Sequence, residues 1–154
     1  MEEYRIGAGD QLSINVYGEP DLSIKEIRVG HSGMVSYPLI GDVKVSGFTA
    51  GELESHITKL LLDGFLLKPE VNVSILKYRM FYVHGQVRKP GGYQYVEGLT
   101  AEKAIALAGG FTERASENKI DLIREKGPRD KPERITMSEK VMPGDVVMVG
   151  ESIF

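Results

Sequence analysis

Three histidines are the side chains of this sequence best suited to bind a metal ion or to transfer a proton near neutral pH. His31, His56 and His84 are far apart, and none is followed within one helical turn by a second ligand in a metal-binding spacing. His56 comes one helical turn after Glu52, a pair that more often stabilises an exposed helix face than holds a metal. The sequence therefore predicts neither a metal site nor a cofactor.

Motifs of nucleophilic and phosphate-binding enzymes are also missing. Gly30-His31-Ser32-Gly33 lacks the G-x-S-x-G elbow of a nucleophilic serine, so it predicts a turn. Gly7-Ala8-Gly9 lacks the third glycine of a dinucleotide loop and precedes a strand, where such a loop precedes a helix. The absence of cysteine excludes disulfides, thiolate metal sites and cysteine nucleophiles. We therefore predict that the protein is not an enzyme. A pair of carboxylates brought together in a cleft from distant parts of the chain would instead indicate a carbohydrate-active enzyme.

Two cations and two tyrosines surround the turn Pro90-Gly91-Gly92. Arg88 and Lys89 precede it, and Tyr93 and Tyr95 follow it. Aromatic faces and cationic side chains are what proteins use to contact sugar rings and their acidic groups. The alternative is that two tyrosines in alternate positions simply share one face of a strand. We take the four as candidate glycan contacts.

The stretch around these residues predicts a strand, a turn, a second strand and a helix. Phe81, Val83, Gly85 and Val87 alternate as the buried face of a strand, and residues 93–96 follow as its partner strand. Thr100 can cap a helix whose narrow apolar stripe is formed by Ala101, Ala104, Ile105 and Ala108, and Gly109-Gly110 ends it. A helix faced with alanine approaches a sheet closely, which predicts a β-grasp-like unit.

The first half of the chain repeats this plan. Leu12, Ile14 and Val16 alternate along a strand, short strands separated by glycine turns follow between residues 27 and 45, and residues 70–78 form another strand. Between these strands, Thr49 and Glu52 have the spacing of a capping box, and Phe48 can pack on Leu53 as a staple. Leu53, Ile57, Leu60 and Leu61 form the apolar face of this helix, and Gly64 ends it.

The last part of the chain adds three strands. Residues 119–124 alternate as one strand and residues 134–137 as its hairpin partner, with a charged and mobile loop expected at 125–132. Val146 to Val149 is apolar on both faces, which predicts a strand that is central or covered on both sides.

Two short patterns recur. Gly47-Phe48-Thr49-Ala50 returns as Gly98-Leu99-Thr100-Ala101, and Gly9-Asp10 returns as Gly144-Asp145 before the last strand. We therefore predict an α+β chain of two small β-rich units, each with one helix, at residues 1–78 and 79–154. The residues expected to set the geometry of the turns and helix ends are Gly9, Asp10, Gly33, Pro38, Gly41, Gly47, Thr49, Gly85, Pro90, Gly91, Thr100, Gly109, Gly110, Gly144 and Asp145.

Composition narrows the class of protein. The 154 residues are 42% hydrophobic and 27% charged, a balance typical of globular proteins. A net charge of -3 argues against nucleic acid as a partner, because proteins that bind its backbone carry a basic excess. No apolar run approaches the ~20 residues that span a bilayer. The acidic start Met1-Glu2-Glu3 is not a signal peptide, so we expect that an exported form has lost its targeting segment.

In this order, the motifs resemble those of the bacterial polysaccharide export family, also called outer-membrane polysaccharide export proteins. Residues 4–18, 29–33, 37–41 and 47–49 look like its N-terminal polysaccharide-export motif. Residues 83–93, Ala108-Gly109-Gly110 and Pro143-Gly144-Asp145 look like the soluble-ligand-binding β-grasp (SLBB) domain that follows it. The resemblance covers nearly the whole chain.

The resemblance implies a periplasmic protein, associated with the outer membrane, in a conduit for capsular polysaccharide or exopolysaccharide. Its implied partners are the polysaccharide, an inner-membrane polysaccharide co-polymerase and further copies of the chain in a ring. Because a chain of 154 residues offers limited area to each neighbour, we expect the ring contact to be weak in isolation. The alternative is a monomeric glycan-binding module that uses the surface around Tyr93 and Tyr95.

Overall fold

The computed structural model describes residues 4–125 and 131–152. The chain divides into two compact units, Met1–Tyr78 and Arg79–Phe154. Within these described ranges each unit contains β-strands and one α-helix, so the predicted α+β class is confirmed.

The first unit contains a three-stranded antiparallel sheet and a separate hairpin. The sheet has the order β2-β1-β5, with β1 at Gln11–Val16, β2 at Ile24–Arg28 and β5 at Val71–Lys77. The hairpin pairs β3 (Met34–Tyr37) with β4 (Gly41–Lys44). As the alternation predicts, Leu12, Ile14 and Val16 point into the core. The core of this unit consists of Ile6, Leu12, Ile14, Val16, Leu22, Val29, Val35, Tyr37, Val43, Val45, Leu53, Ile57, Leu61 and Val73.

The helix of the first unit, α1 (Ala50–Leu62), begins with the predicted capping box. The Thr49 hydroxyl accepts the Glu52 N–H at 3.1 Å, and the Glu52 carboxylate accepts the Thr49 N–H at 3.1 Å. Leu53, Ile57 and Leu61 are its buried residues, whereas Leu60 is only partly buried. The ring of Phe48, the residue expected to form a staple, stacks on His56 with the ring centroids 5.0 Å apart.

The second unit is a five-stranded mixed sheet in the order β7-β6-β10-β8-β9. Its central strand β10 (Val146–Glu151) runs parallel to β6 (Phe81–Gly85) and antiparallel to β8 (Ala115–Ile123). The edges are β7 (Gly91–Tyr93) and β9 (Glu133–Ile135). The predicted central place of the last strand is confirmed, but it is buried on one face only, because Met148 is 37% exposed.

The helix of the second unit, α2 (Ala101–Leu107), packs on the sheet through the predicted alanine stripe. Ala101, Ala104 and Ala108 are all 0% exposed. The Thr100 hydroxyl caps the helix by accepting the Lys103 N–H at 3.3 Å. At the other end, the Gly110 N–H donates to the Ile105 carbonyl at 2.9 Å and the Gly109 N–H to the Ala106 carbonyl at 3.0 Å. These two bonds form a Schellman motif, so both predicted helix ends are confirmed.

One strand lies earlier than the sequence predicts. Residues 93–96 are expected to pair with the strand that begins at Phe81, but the paired residues are 91–93. In this register Gly92 lies opposite Tyr82, and a Cβ atom on Gly92 would lie 2.8 Å from side-chain atoms of both Met80 and Tyr82, so a larger residue there would require these side chains to move.

The hairpin partner expected at 134–137 is observed at 133–135. Of the charged loop expected at 125–132, residues 126–130 lie outside the described residues. In the part of the chain that the structure describes, no helix combines the length and the apolarity that crossing a membrane requires.

Candidate functional site

The loop that carries Arg88 and Lys89 is fixed to the C-terminal end of α2. The Arg88 N–H donates to the Gly110 carbonyl at 3.1 Å, and the Lys89 N–H donates to the Ala108 carbonyl at 2.8 Å. These donors pair with carbonyl groups at the helix end, which lack partners within the helix. Both side chains are exposed. The backbone of the loop is therefore held in place while its two cations face solvent.

Tyr93 lies beside this loop, on the helix-covered side of the sheet. It pairs with the fully buried Phe81, and the two ring centroids are 6.1 Å apart. Its hydroxyl donates to the Lys89 carbonyl. The ring is thus partly buried and held at the edge of the sheet, where its remaining exposed part adjoins the two cations.

Tyr95 differs from the expectation of an exposed glycan contact. It is 9% exposed, and burial raises the pKa of its hydroxyl. It follows the end of β7 and packs inward, so it does not share an exposed strand face with Tyr93. The structure therefore brings Arg88, Lys89 and Tyr93 together and removes Tyr95 from the candidate surface.

The exposed aromatic side chain of this sheet is Tyr82, which is not among the four predicted glycan contacts. It is 41% exposed and lies on the face opposite α2. The signal was present in the sequence, because Phe81 and Val83 alternate toward the core and so direct Tyr82 and His84 outward. We call this solvent side of the sheet the outer face; its residues are Tyr82, His84, Asp121, Ile123, Arg134, Val146 and Met148.

The outer face is organised in two rows that run across the strands. In one row Tyr82, Val146 and Ile123 are neighbours on β6, β10 and β8. In the other, His84, Met148, Asp121 and Arg134 follow one another from β6 to β9. The Arg134 Nε donates to the Asp121 carboxylate at 2.6 Å. An apolar row with an aromatic end therefore lies beside a row that offers hydrogen-bonding groups.

The two Gly-Asp turns have the same hydrogen-bonding pattern. The Asp10 carboxylate accepts the Gly7 N–H at 2.9 Å, and the Asp10 N–H donates to the Gly7 carbonyl at 3.2 Å. The Asp145 carboxylate accepts the Met142 N–H at 2.9 Å, and the Asp145 N–H donates to the Met142 carbonyl at 3.1 Å. Each turn leads into a core strand, so the recurring dipeptide marks one structural device used once in each unit.

Both turn aspartates are buried and have further partners. Tyr4 donates its hydroxyl to Asp10 at 2.5 Å, and Arg124 donates to Asp145 at 3.3 Å. Burial raises the pKa of Asp145, and its hydrogen bonds and the positive charge of Arg124 oppose that shift. These carboxylates therefore hold the fold together and face no open surface.

The motif glycines have the conformation that a turn requires. Gly85 combines a φ of 88° with a position where a Cβ would lie 2.2 Å from the Val149 carbonyl oxygen. Positive φ is found at Gly9, Gly33, Gly41, Gly47, Gly85, Gly91, Gly109, Gly110 and Gly144. Among residues 4–125 and 131–152, no cluster of three His, Asp or Glu side chains could hold a metal ion.

Two family models match the chain one after the other. The model of the polysaccharide biosynthesis/export protein matches residues 1–76, and the model of the SLBB domain matches residues 80–136.

Several curated bacterial proteins are similar to this chain. The exopolysaccharide production protein ExoF of Rhizobium meliloti is 33% identical over 121 residues, which cover 71% of this chain and 29% of ExoF. The EPS I polysaccharide export outer membrane protein EpsA of Ralstonia solanacearum is 30% identical over 141 residues, 75% of this chain and 37% of EpsA. The polysialic acid transport protein KpsD of Escherichia coli is 34% identical over 98 residues, 62% of this chain and 16% of KpsD. The chain thus spans less than half the length of each of these relatives.

Proposed function

The chain belongs to the polysaccharide biosynthesis/export family, and we propose that it is a non-enzymatic component of a system that exports capsular polysaccharide or exopolysaccharide across the bacterial envelope. The observation that carries this proposal is the succession of the export domain and the SLBB domain in one chain. Proteins that are 30–34% identical to parts of this chain are named for the production, export or transport of polysaccharides.

Export of a polymer does not require this protein to make or break a covalent bond. A conduit must contact the chain well enough to admit it and weakly enough to release it, as pores do for ions. Exposed cations on a fixed loop beside a partly exposed ring, as at Arg88, Lys89 and Tyr93, provide contacts of that kind. We propose that these three residues touch the polymer, with its hydroxyl or acidic groups on the cations.

We further propose that the protein works in the periplasm at the outer membrane, contacts an inner-membrane polysaccharide co-polymerase and assembles with copies of itself into a ring. The ring contact is weak for the isolated chain and is strengthened by the polymer or the co-polymerase. Sedimentation of the chain alone over a wide concentration range, and then with the co-polymerase, tests this. A monomer under both conditions would contradict the ring.

Deletion of the gene in its native host tests the main proposal. We expect loss of surface polysaccharide with polymer retained inside the cell envelope, and recovery when the wild-type gene is supplied. Incubation of the purified protein with that polymer should leave the chain-length distribution unchanged. Shortening of the polymer, abolished by replacing one acidic residue, would instead show an enzyme.

The exposed Arg88 and Lys89 beside Tyr93 also suit a second function, a monomeric glycan-binding module. In that case a monomer would bind short oligosaccharides saturably, and deletion of the gene would leave the amount of exported polymer unchanged. The Arg88→Ala, Lys89→Ala double variant would then lose binding while the protein stays folded, since both side chains are exposed.

A further inference from the structure

The ring of Tyr82 on the outer face lies against a glycine on the neighbouring strand. Tyr82 pairs with Gly92, and a Cβ atom at Gly92 would lie 2.8 Å from the Tyr82 Cε1 and 2.8 Å from the Met80 Cε. The ring therefore lies across the backbone of β7 in the space that a side chain at Gly92 would occupy. Tyr82 nevertheless remains 41% exposed. An aromatic ring held against backbone on one side and open to solvent on the other is suited to stacking.

The row beside Tyr82 supplies polar groups at a regular spacing. Adjacent strands are about 4.8 Å apart, so the row from His84 to Arg134 extends for about 14 Å across four strands. His84 offers ring nitrogens, and the guanidinium of Arg134, whose side chain is 58% exposed, has more N–H groups than its bond to Asp121 uses. Both rows together form a strip that is apolar along one side and polar along the other.

The two formal charges of the outer face offset each other, because the Arg134 guanidinium is ion-paired with the Asp121 carboxylate at 2.6 Å. The strip therefore has no excess of either sign, although the whole chain has a net charge of -3. Its exposed aromatic ring and the N–H groups of Arg134 that the ion pair leaves over suit a ligand that combines apolar faces with many hydroxyl groups.

We propose that the outer face of the second unit binds a segment of polysaccharide, with a sugar ring stacked on Tyr82 and its hydroxyl or acidic groups bonded to His84 and Arg134. This rests on the proposed export function for the identity of the polymer. It adds a second sugar contact, on a different side of the sheet from the one proposed at Arg88, Lys89 and Tyr93. Mixed apolar and polar strips of this kind present both the flat surface and the directional groups that a sugar requires.

The test uses amide NMR spectra of the full chain titrated with oligosaccharides made by partial hydrolysis of the host's surface polysaccharide. Cello-oligosaccharides and oligosialic acid serve as neutral and acidic reference probes. We expect saturable shifts at residues of β6, β10 and β8 on the outer face. Tyr82→Leu, which still covers Gly92 but lacks a flat ring, should weaken binding about tenfold, whereas Tyr82→Phe should retain it. Tyr17→Ala, which removes a tyrosine that is 77% exposed in the first unit, is the matched control and should bind like the wild type.

Three results would overturn the proposal. They are the absence of shifts on the outer face with every probe, equal binding by Tyr82→Leu and Tyr82→Phe, and outer-face shifts that follow protein concentration without sugar, which would show self-contact. Deletion of the gene distinguishes a failure of the outer-face proposal from a failure of the proposed export function. If deletion blocks export while Tyr82→Leu binds and exports normally, only the assignment of the outer face fails; if deletion leaves export intact, the proposed function fails.

Discussion

Replacement of Gly85 by alanine tests the close approach of β6 and β10 at the centre of the second unit. Gly85 and Gly98 have similar backbone conformations, with φ of 88° and 79°. A Cβ on Gly85 would lie 2.2 Å from the Val149 carbonyl oxygen, whereas a Cβ on Gly98 would have no atom within 4 Å. The two Gly→Ala variants therefore share the cost of the left-handed conformation, and only Gly85→Ala adds a collision.

The magnitudes follow from these differences. Left-handed backbone costs an alanine about 1–2 kcal/mol, and the lower entropy of the unfolded alanine chain offsets about 0.4–1 kcal/mol of this. We therefore expect Gly98→Ala to lower the free energy of unfolding by about 1 kcal/mol. Gly85→Ala adds about 1–3 kcal/mol for overpacking. It also weakens the 3.0 Å hydrogen bond that the Gln86 N–H donates to the same Val149 carbonyl. Such a bond contributes about 0.5–1.5 kcal/mol to stability.

Urea unfolding followed by NMR measures both variants, because resolved amide signals report each unit separately even where the chain does not unfold in one step. We expect Gly85→Ala to destabilise the second unit by about 3–5 kcal/mol, at least twice the effect of Gly98→Ala. Amide exchange in β6 and β10 should increase most. Equal destabilisation by the two variants would refute the close approach of these strands.

The remaining predictions concern helix caps, strain and pH. Thr49→Ala should lower the free energy of unfolding of the first unit by about 1–2 kcal/mol, and Thr100→Ala should lower that of the second unit by less. The reason is that Thr49 takes part in a reciprocal capping box, whereas Thr100 accepts a single, longer hydrogen bond. A larger effect of Thr100→Ala in urea unfolding would contradict this. Leu39 is 76% exposed and has a φ of 68°, a conformation that asparagine adopts more readily than leucine. Leu39→Asn should therefore raise the free energy of unfolding of the first unit by about 0.5–1 kcal/mol. A fall in the melting temperature of the variant would show instead that the leucine side chain is stabilising. Because the pKa of Asp145 is raised in the folded protein, this residue stabilises the fold most when protonated, and its contribution falls as pH rises through the interval just above the ordinary pKa of aspartate. Relative to Asp145→Asn, the wild type should lose stability across that interval, and a constant difference between their unfolding free energies would refute the shift.

Much of the fold could be predicted from the sequence, because it depends on interactions between residues that are close together in the chain. Thr49, Thr100 and the Gly109-Gly110 pair act on groups within a few residues of themselves, so their hydrogen bonds depend little on the rest of the chain. Period-two alternation similarly identified the buried faces of β1 and β6, because a strand has only two sides. The ordered series of these local signals is also what identified the family.

Contacts between distant residues account for what the sequence did not predict. Alternation directs Tyr82 outward, but the position of Gly92 opposite it depends on the register of β6 and β7. Tyr95, two residues beyond β7, turned inward, and Arg79 formed a fork of hydrogen bonds to Glu125 across 46 residues of sequence. Periodicity gives the side of a strand but not its neighbour, its register or what covers it. The sequence alone therefore determined the helices, the turns and the inward faces of the strands, whereas strand pairing decided which aromatic ring is exposed, because exposure depends on what the opposite strand leaves uncovered.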